Sequence, residues 1–256
     1  MIKMKTNLFD KVFENRKNTY FIHYACQNLS DENEGYSPRI TSIAVLHFDS
    51  SQMSSFSMHL SAEELQISRE NICTNYDKIE TDMLSKFSDF VKNNLNNTYW
   101  VHWNMTNINY GFEAIEHRYK VLTKNDMVHI PEINRFNLST LLKKKYGIKF
   151  VDDPKMINLM RLNNNDGKED RNFLSGEEEV TAYKANEFVK LHNSTMCKVY
   201  FFRDVFNKAR NNTLKTKTNQ FRYKVNEIYR HPFIQIIGLI GIIGTIVSLV
   251  INFIQC

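Results

Sequence analysis

The stretch TYFIHYAC, residues 19–26, is dominated by β-branched and aromatic side chains, and no Asp, Glu, Lys or Arg interrupts it. This composition predicts a buried β-strand. A polar segment follows at 27–39, and two further strands are predicted at 40–48 and 54–60. The first quarter of the chain is therefore expected to supply three strands of a sheet.

The next segment changes from strand to helical spacing. Apolar residues in 76–95 recur every three or four positions, which predicts an amphipathic helix. The remaining predicted elements are a strand at 98–103, helices at 110–122, 138–146 (ending at Gly147) and 177–210, and a loop at 163–170. Three strands, a helix, a strand and further helices are the order of an α/β sheet architecture.

The C-terminal part of the chain has a different character. Residues 233–254 read FIQIIGLIGIIGTIVSLVINFI and contain no charged side chain. A helix of this length spans a hydrocarbon core of roughly 30 Å. We predict a transmembrane helix at 232–254; a buried helix of a soluble domain is the alternative. Gly238, Gly241 and Gly244 recur every third residue, so helix packing and self-association within the membrane are predicted.

Basic charge is concentrated just before this apolar segment. The chain has 33 Lys and Arg against 28 Asp and Glu, and nine of the basic residues lie in 198–230 beside only Asp204 and Glu227. The positive-inside bias then puts the N-terminal domain in the cytoplasm. The residues predicted to contact lipid headgroups, or alternatively nucleic acid, are Lys208, Arg210, Lys215, Lys217, Arg222, Lys224 and Arg230.

The cysteines agree with a cytoplasmic domain. Cys26, Cys73, Cys197 and Cys256 are widely separated, and their spacing suggests neither a disulfide framework nor a zinc site. The predicted organisation is an N-terminal lead at 1–18, an α/β domain at 19–210, a basic juxtamembrane segment at 211–231 and the transmembrane helix at 232–254.

The order of elements in 19–210 resembles the ribonuclease H-like fold of the DEDD 3′–5′ exonucleases. Enzymes of that family use four carboxylates to hold two metal ions, which activate a water molecule and stabilise the leaving oxygen. Their first strand carries Asp-x-Glu. At the corresponding positions this chain has either Tyr24 with Cys26 or His23 with Ala25.

The other two motifs also lack their acids. After the fourth strand, His102, Trp103 and Asn104 keep the family's asparagine, but Asn107 and Ile108 stand where Asp is expected. In the last helix, His192 is retained and Cys197 stands at the Asp position.

The resemblance therefore implies the fold without its chemistry. Neutral or cationic side chains do not hold Mg²⁺, so we expect neither a metal nor a cofactor, and no two-metal catalysis. The implied fold is an α/β mixed sheet flanked by helices, followed by a long helix and one transmembrane helix. The residues expected to line a vestigial pocket are Tyr24, Cys26, His102, Asn104, His192 and Cys197.

A small cytoplasmic module fused to a membrane helix resembles the membrane effectors of bacterial antiphage systems of the retron type. That resemblance implies a single-pass protein of the cell inner membrane that disrupts this membrane when triggered. The implied partners are membrane lipid, a second copy of the chain, and a nucleic acid or nucleoprotein regulator; no small-molecule substrate is identified.

Two other functions remain open from the sequence. One is a membrane-tethered, metal-dependent nuclease acting on single-stranded nucleic acid through a different set of acids, for which the chain offers Asp31, Glu32, Glu34, Glu113, Glu116 and Asp126. The other is a scaffold that recruits a partner to the membrane.

Overall fold

A computed structural model describes residues 7–27, 37–164 and 170–219 of the chain. The strands are β1 (Thr19–Cys26), β2 (Ile40–His47), β3 (Met53–Ser57), β4 (Tyr99–His102) and β5 (Arg135–Asn137). The helices are α1 (Leu8–Glu14), α2 (Met58–Glu64), α3 (Tyr76–Asn93), α4 (Phe112–Thr123), α5 (Leu138–Tyr146), α6 (Lys155–Asn163), α7 (Gly176–Lys184) and α8 (Phe188–Arg210).

These strands form one mixed sheet in the order β3-β2-β1-β4-β5. β2 is antiparallel to both β1 and β3, whereas β1, β4 and β5 are parallel to one another. The predicted α/β class, a mixed sheet flanked by helices, is confirmed. β1 lies at the centre, which explains why nearly every residue in its sequence is apolar or aromatic.

Successive side chains of β1 enter different cores because side chains alternate across a strand. Ile22 and Tyr24 pack in the core beneath α3 and α4. Phe21 packs on the opposite face against α8, where its ring centroid lies 5.8 Å from that of Phe206. The sheet is thus covered by α3 and α4 on one face and by α8 on the other.

A buried ion-pair network fixes α3 and α4 to the start of β2. Glu80 of α3 is 0% exposed. Its carboxylate accepts two hydrogen bonds from the Arg118 guanidinium, at 2.8 and 2.6 Å, and one from the Ile40 backbone N–H at 2.7 Å. Arg39 lies 3.4 Å from the same carboxylate, while its closer contact, at 2.6 Å, is to the exposed Asp77. The buried charge is therefore fully paired.

Two predictions about these elements were wrong. The strand predicted at 54–60 ends at Ser57, and helix α2 begins at Met58. The helix predicted over 177–210 is two helices, because the chain reverses at Asn186, which has φ +56°. The Glu187 N–H then donates to the Ala182 carbonyl at 2.9 Å, closing the end of α7. Both helices bury apolar faces, so periodicity alone did not reveal the break.

Three elements had no counterpart in the sequence prediction: α1, β5 and α6. α1 lies in the predicted lead, yet Phe9 and Val12 are buried and Phe9 contacts Phe206 at 5.1 Å between ring centroids. The packed region also continues beyond α8, because Leu214 and Thr216 are buried.

In the part of the chain that the structure describes, no helix combines the length and the apolar composition needed to cross a membrane. The span predicted at 232–254 lies outside the described residues, as do Arg222, Lys224, Arg230, Gly238, Gly241 and Gly244. Most of the polar loop at 27–39 and of the loop at 163–170 also lies outside them.

Candidate ligand-binding pocket

A pocket of about 500 Å³ lies where β1 and β4 end. The carboxyl ends of parallel strands are the usual position of ligand sites in α/β sheets. The residues lining it are His23, Tyr24, Ala25, Cys26, Trp103, Asn104, Tyr110, Pro154, Met156, Ile157, Phe173, Leu174, Ser175, Gly176, Glu177, Glu179, Val180 and Lys198. Most of these side chains are apolar or aromatic, which suits an uncharged ligand or an inserted apolar group.

The end of β1 contributes side chains to both sides of the sheet. The His23 ring stands edge-on to Phe202 of α8, with 5.5 Å between ring centroids. The Tyr24 ring instead stacks on Tyr110, just before α4, at 4.5 Å. Of the two pairs considered for the first nuclease motif, His23 and Ala25 are therefore the pair on the α8 side. Neither residue can replace a carboxylate.

Tyr110 joins the two sides of this strand end. Its hydroxyl donates to the Tyr24 carbonyl at 3.1 Å and lies 3.2 Å from His23 Nδ1. The Tyr24 hydroxyl in turn accepts from the Gly111 N–H at 3.0 Å. Burial raises the pKa of both tyrosines well above the usual value. Burial, and next the charge of Lys198, lower the pKa of His23 well below its usual value, so its imidazole is neutral at pH 7.

An ion pair between α7 and α8 forms the opposite wall. Lys198 Nζ donates to Glu179 Oε1 at 2.5 Å, and Ser194 Oγ donates to the same oxygen at 2.9 Å. Lys198 is 5% exposed and Glu179 8%. The Leu174 N–H donates to Ser194 Oγ at 3.2 Å, so the Ser194 hydroxyl both donates and accepts a hydrogen bond. The Glu179 carboxylate in this wall is therefore already neutralised by the Lys198 ammonium.

Sequence reasoning missed this pair, although Lys198 directly follows Cys197 in the third motif. The signal was present: Ser194 and Lys198 are polar residues four apart on the face of α8 that also carries Leu191 and Phe202, all of them buried. Residues four apart share one helix face, and polar side chains within an apolar face need a polar partner when that face is buried. The sequence does not identify Glu179 as that partner, because the single helix predicted over 177–210 would keep Glu179 and Lys198 far apart.

His192 and Cys197 lie outside the pocket. His192 Nδ1 lies 2.7 Å from Ser42 Oγ on β2, and burial together with the neighbouring His59 lowers its pKa to about 4. Cys197 packs beside the core on the α8 face, where burial and Asp170 raise its pKa to about 12. A thiol with that pKa is protonated and unreactive at neutral pH.

His102 and Asn104 flank the end of β4 but differ in role. His102 is buried outside the pocket, its Nδ1 accepts from the Met105 N–H at 3.1 Å, and burial, followed by the charge of Arg135, lowers its pKa to about 3. Asn104 lines the pocket with φ +53°, and its N–H donates to Asn137 Oδ1 at 3.2 Å. Of the six expected pocket residues, the structure brings together Tyr24, Cys26 and Asn104, and leaves out His102, His192 and Cys197.

The three described acids among those considered for an alternative nuclease site do not line the pocket either. Glu113 pairs with Arg135, Glu116 with His129 at 3.0 Å, and Asp126 with Lys120 at 2.7 Å. Asp31, Glu32 and Glu34 lie outside the described residues. Within residues 7–27, 37–164 and 170–219, no three His, Cys, Asp or Glu side chains converge to hold a metal ion.

Four of the seven basic residues predicted to contact lipid or nucleic acid fall in the described part of the chain. Lys208 pairs with Asp204 at 2.7 Å, Lys217 with Asp152 at 2.7 Å, and Arg210 with Asp10 at 3.0 Å. Lys215 is exposed, while its backbone N–H donates to Asn163 Oδ1 at 3.0 Å. The four therefore lie at the C-terminal end of α8 and just beyond it.

Models of known protein families, curated proteins and solved structures were all compared with this chain, and none of them matches it.

Proposed function

We propose that this chain is a membrane-tethered, non-catalytic protein whose cytoplasmic ribonuclease H-like domain binds a ligand or partner. Its tail then disrupts the bacterial inner membrane as an effector of antiphage defence. The strand order β3-β2-β1-β4-β5, antiparallel on one side of β1 and parallel on the other, supports the ribonuclease H-like part of the proposal.

The ion pair of Lys198 with Glu179 is the observation that carries the non-catalytic part. In the nuclease arrangement, metal ions would lie between the end of β1 and the last helix. Here that space is bordered by His23, Ala25 and the Lys198 ammonium. The Lys198 ammonium lies 2.5 Å from the Glu179 carboxylate, which is the group that a divalent cation would bind. The positive charge repels such a cation and already pairs with that carboxylate. The pocket is therefore suited to recognition rather than to two-metal hydrolysis.

The membrane part rests on the sequence of 233–254 and on the basic residues before it. The antiphage role rests on the analogy of architecture stated above. A small domain that recognises a partner and is fused to one membrane helix has a direct way of coupling recognition to the bilayer.

The membrane experiment compares the full chain with a chain that stops after Tyr229. The full chain should sediment with membranes and the shorter one should remain soluble. On overexpression with the trigger present, only the full chain should collapse the membrane potential reported by a voltage-sensitive dye. A full chain that stays in the membrane and never depolarises cells would remove the effector role and leave the scaffold role.

The catalytic experiment incubates the purified full chain with single-stranded RNA or DNA and with Mg²⁺ or Mn²⁺. No release of nucleotides is expected. Metal-dependent release that Glu113→Ala or Asp31→Ala abolishes would establish the nuclease alternative.

A further inference from the structure

The loop that follows α5 is joined to the segment through which the chain leaves α8. The Lys217 N–H donates to the Phe150 carbonyl at 2.8 Å. The buried Asn163 side chain accepts from the Lys215 N–H and donates to the Lys215 carbonyl, both at 3.0 Å. Residues 147–150 and 214–217 therefore form one surface, from which the chain continues toward the predicted membrane span.

This surface lies at the amino ends of the parallel strands, opposite the pocket. Lys198 reaches the pocket near the end of β1, whereas Phe206 packs on Phe21 near its beginning, so α8 runs antiparallel to β1. α5 returns to the same edge, because the Tyr146 hydroxyl donates to the Ala209 carbonyl at 3.3 Å.

The composition of the loop suits a lipid surface. Residues 143–149 read KKKYGIK, with four lysines and no acid. Ile148 is 76% exposed. Lys144 and Lys149, close to it in the chain, are also exposed, as is Lys215 in the joined segment 214–217. The nearby acids Asp152 and Asp153 are paired with Lys217 and Lys155. An exposed aliphatic side chain among ammonium groups matches an interface of acyl chains and anionic headgroups.

The position of the apolar segment brings such an interface within reach. The described chain ends at Asn219, and the uncharged stretch begins 14 residues later at Phe233. Fourteen residues span at most about 50 Å when fully extended, and less in any other conformation.

We propose that the loop of Gly147, Ile148 and Lys149, together with Lys144 and Lys215, seats the domain on an anionic bilayer. The amino edge of the sheet then faces the lipid, and the pocket faces the cytoplasm. This inference rests on the membrane tether of the proposed function.

The experiment uses the full chain in vesicles, with an environment-sensitive dye on a cysteine at Ile148→Cys. The matched control is Ile108→Cys, which is 78% exposed and follows β4 at the opposite edge of the sheet. Both variants carry Cys73→Ser and Cys256→Ser; Cys26 is buried and Cys197 is protonated at neutral pH. Vesicles contain phosphatidylcholine with or without phosphatidylglycerol, and a lipid-borne quencher.

The dye at 148 should be quenched several-fold more than the dye at 108 in vesicles with phosphatidylglycerol, and less so without it. Equal quenching at the two positions in a protein that floats with the vesicles would overturn the proposed contact of this loop with lipid and leave the membrane attachment intact. If the protein does not float with the vesicles, both the membrane attachment and the loop contact are overturned. A response at 148 to single-stranded nucleic acid without vesicles would assign this surface to nucleic acid instead.

Discussion

Lys198→Met tests whether the ion pair in the pocket wall is as tightly coupled as its burial implies. The change removes the cation and leaves the Glu179 carboxylate among apolar side chains, with Ser194 as its remaining donor. Breaking a buried ion pair costs about 3–5 kcal/mol of unfolding free energy, and the retained serine hydrogen bond places this variant at about 3 kcal/mol. Replacing both charges, with Lys198→Met and Glu179→Gln together, should cost no more than about 1 kcal/mol, because no charge is then left buried.

Urea unfolding of the full chain in mild detergent measures these differences. Trp100 and Trp103 are the chain's two tryptophans, and both are buried in the domain, so their emission reports its unfolding alone. With a slope of about 2 kcal/mol per molar urea, the loss of about 3 kcal/mol lowers the midpoint by about 1.5 M. If the losses of the two single variants simply add in the double variant, the carboxylate and the ammonium do not interact as described, and Lys198 does not exclude a metal ion from this pocket.

Three further predictions concern other parts of the molecule. The pKa of His192 is lowered to about 4, so its contribution to stability is complete above pH 6.5 and declines as the pH falls from 6.5 to 4. In urea titrations, His192→Gln should remove up to about 3 kcal/mol of that decline. An unchanged pH profile of the unfolding free energy would contradict the prediction. Glu80→Gln should cost about 3 kcal/mol, because its carboxylate is fully buried against arginine, whereas Asp77→Asn on the same helix should cost less than about 1 kcal/mol; equal losses would disprove the difference. Gly241→Ile with Gly244→Ile should stay in the membrane yet lose cross-linked oligomers and depolarisation, and a double variant that depolarises like the wild type would exclude helix packing as the mechanism.

The parts of the fold that the sequence predicts well are those in which one interaction dominates. β1 was predicted with its observed bounds because a central strand, covered on both faces, has to be apolar throughout. α5 was predicted just as closely because Gly147, with φ +92°, ends it in a conformation that other residues rarely adopt. Here local sequence and tertiary burial favour the same structure.

The missed elements depend on partners that are distant in sequence. β5 has only three residues, Arg135, Phe136 and Asn137, and its strand conformation comes from pairing with β4. The break between α7 and α8 depends on a left-handed Asn186, a residue that occurs at many other positions in this chain. Asn104, predicted as a pocket residue from the motif after the fourth strand, lines the observed pocket, whereas Lys198 was missed because its partner becomes adjacent only after that break.

α8 connects the pocket mechanically to the opposite edge of the domain. The helix has 23 residues, about 35 Å in length, and its backbone hydrogen bonds resist compression along the axis. Lys198 contacts the pocket, and Ala209, about 16 Å further along, accepts hydrogen bonds from Lys145 and Tyr146. A ligand that pushes α8 lengthwise by an ångström or two would displace the far end by the same amount, as a piston does. The pocket and the point where the chain leaves the domain are thus joined by one continuous helix.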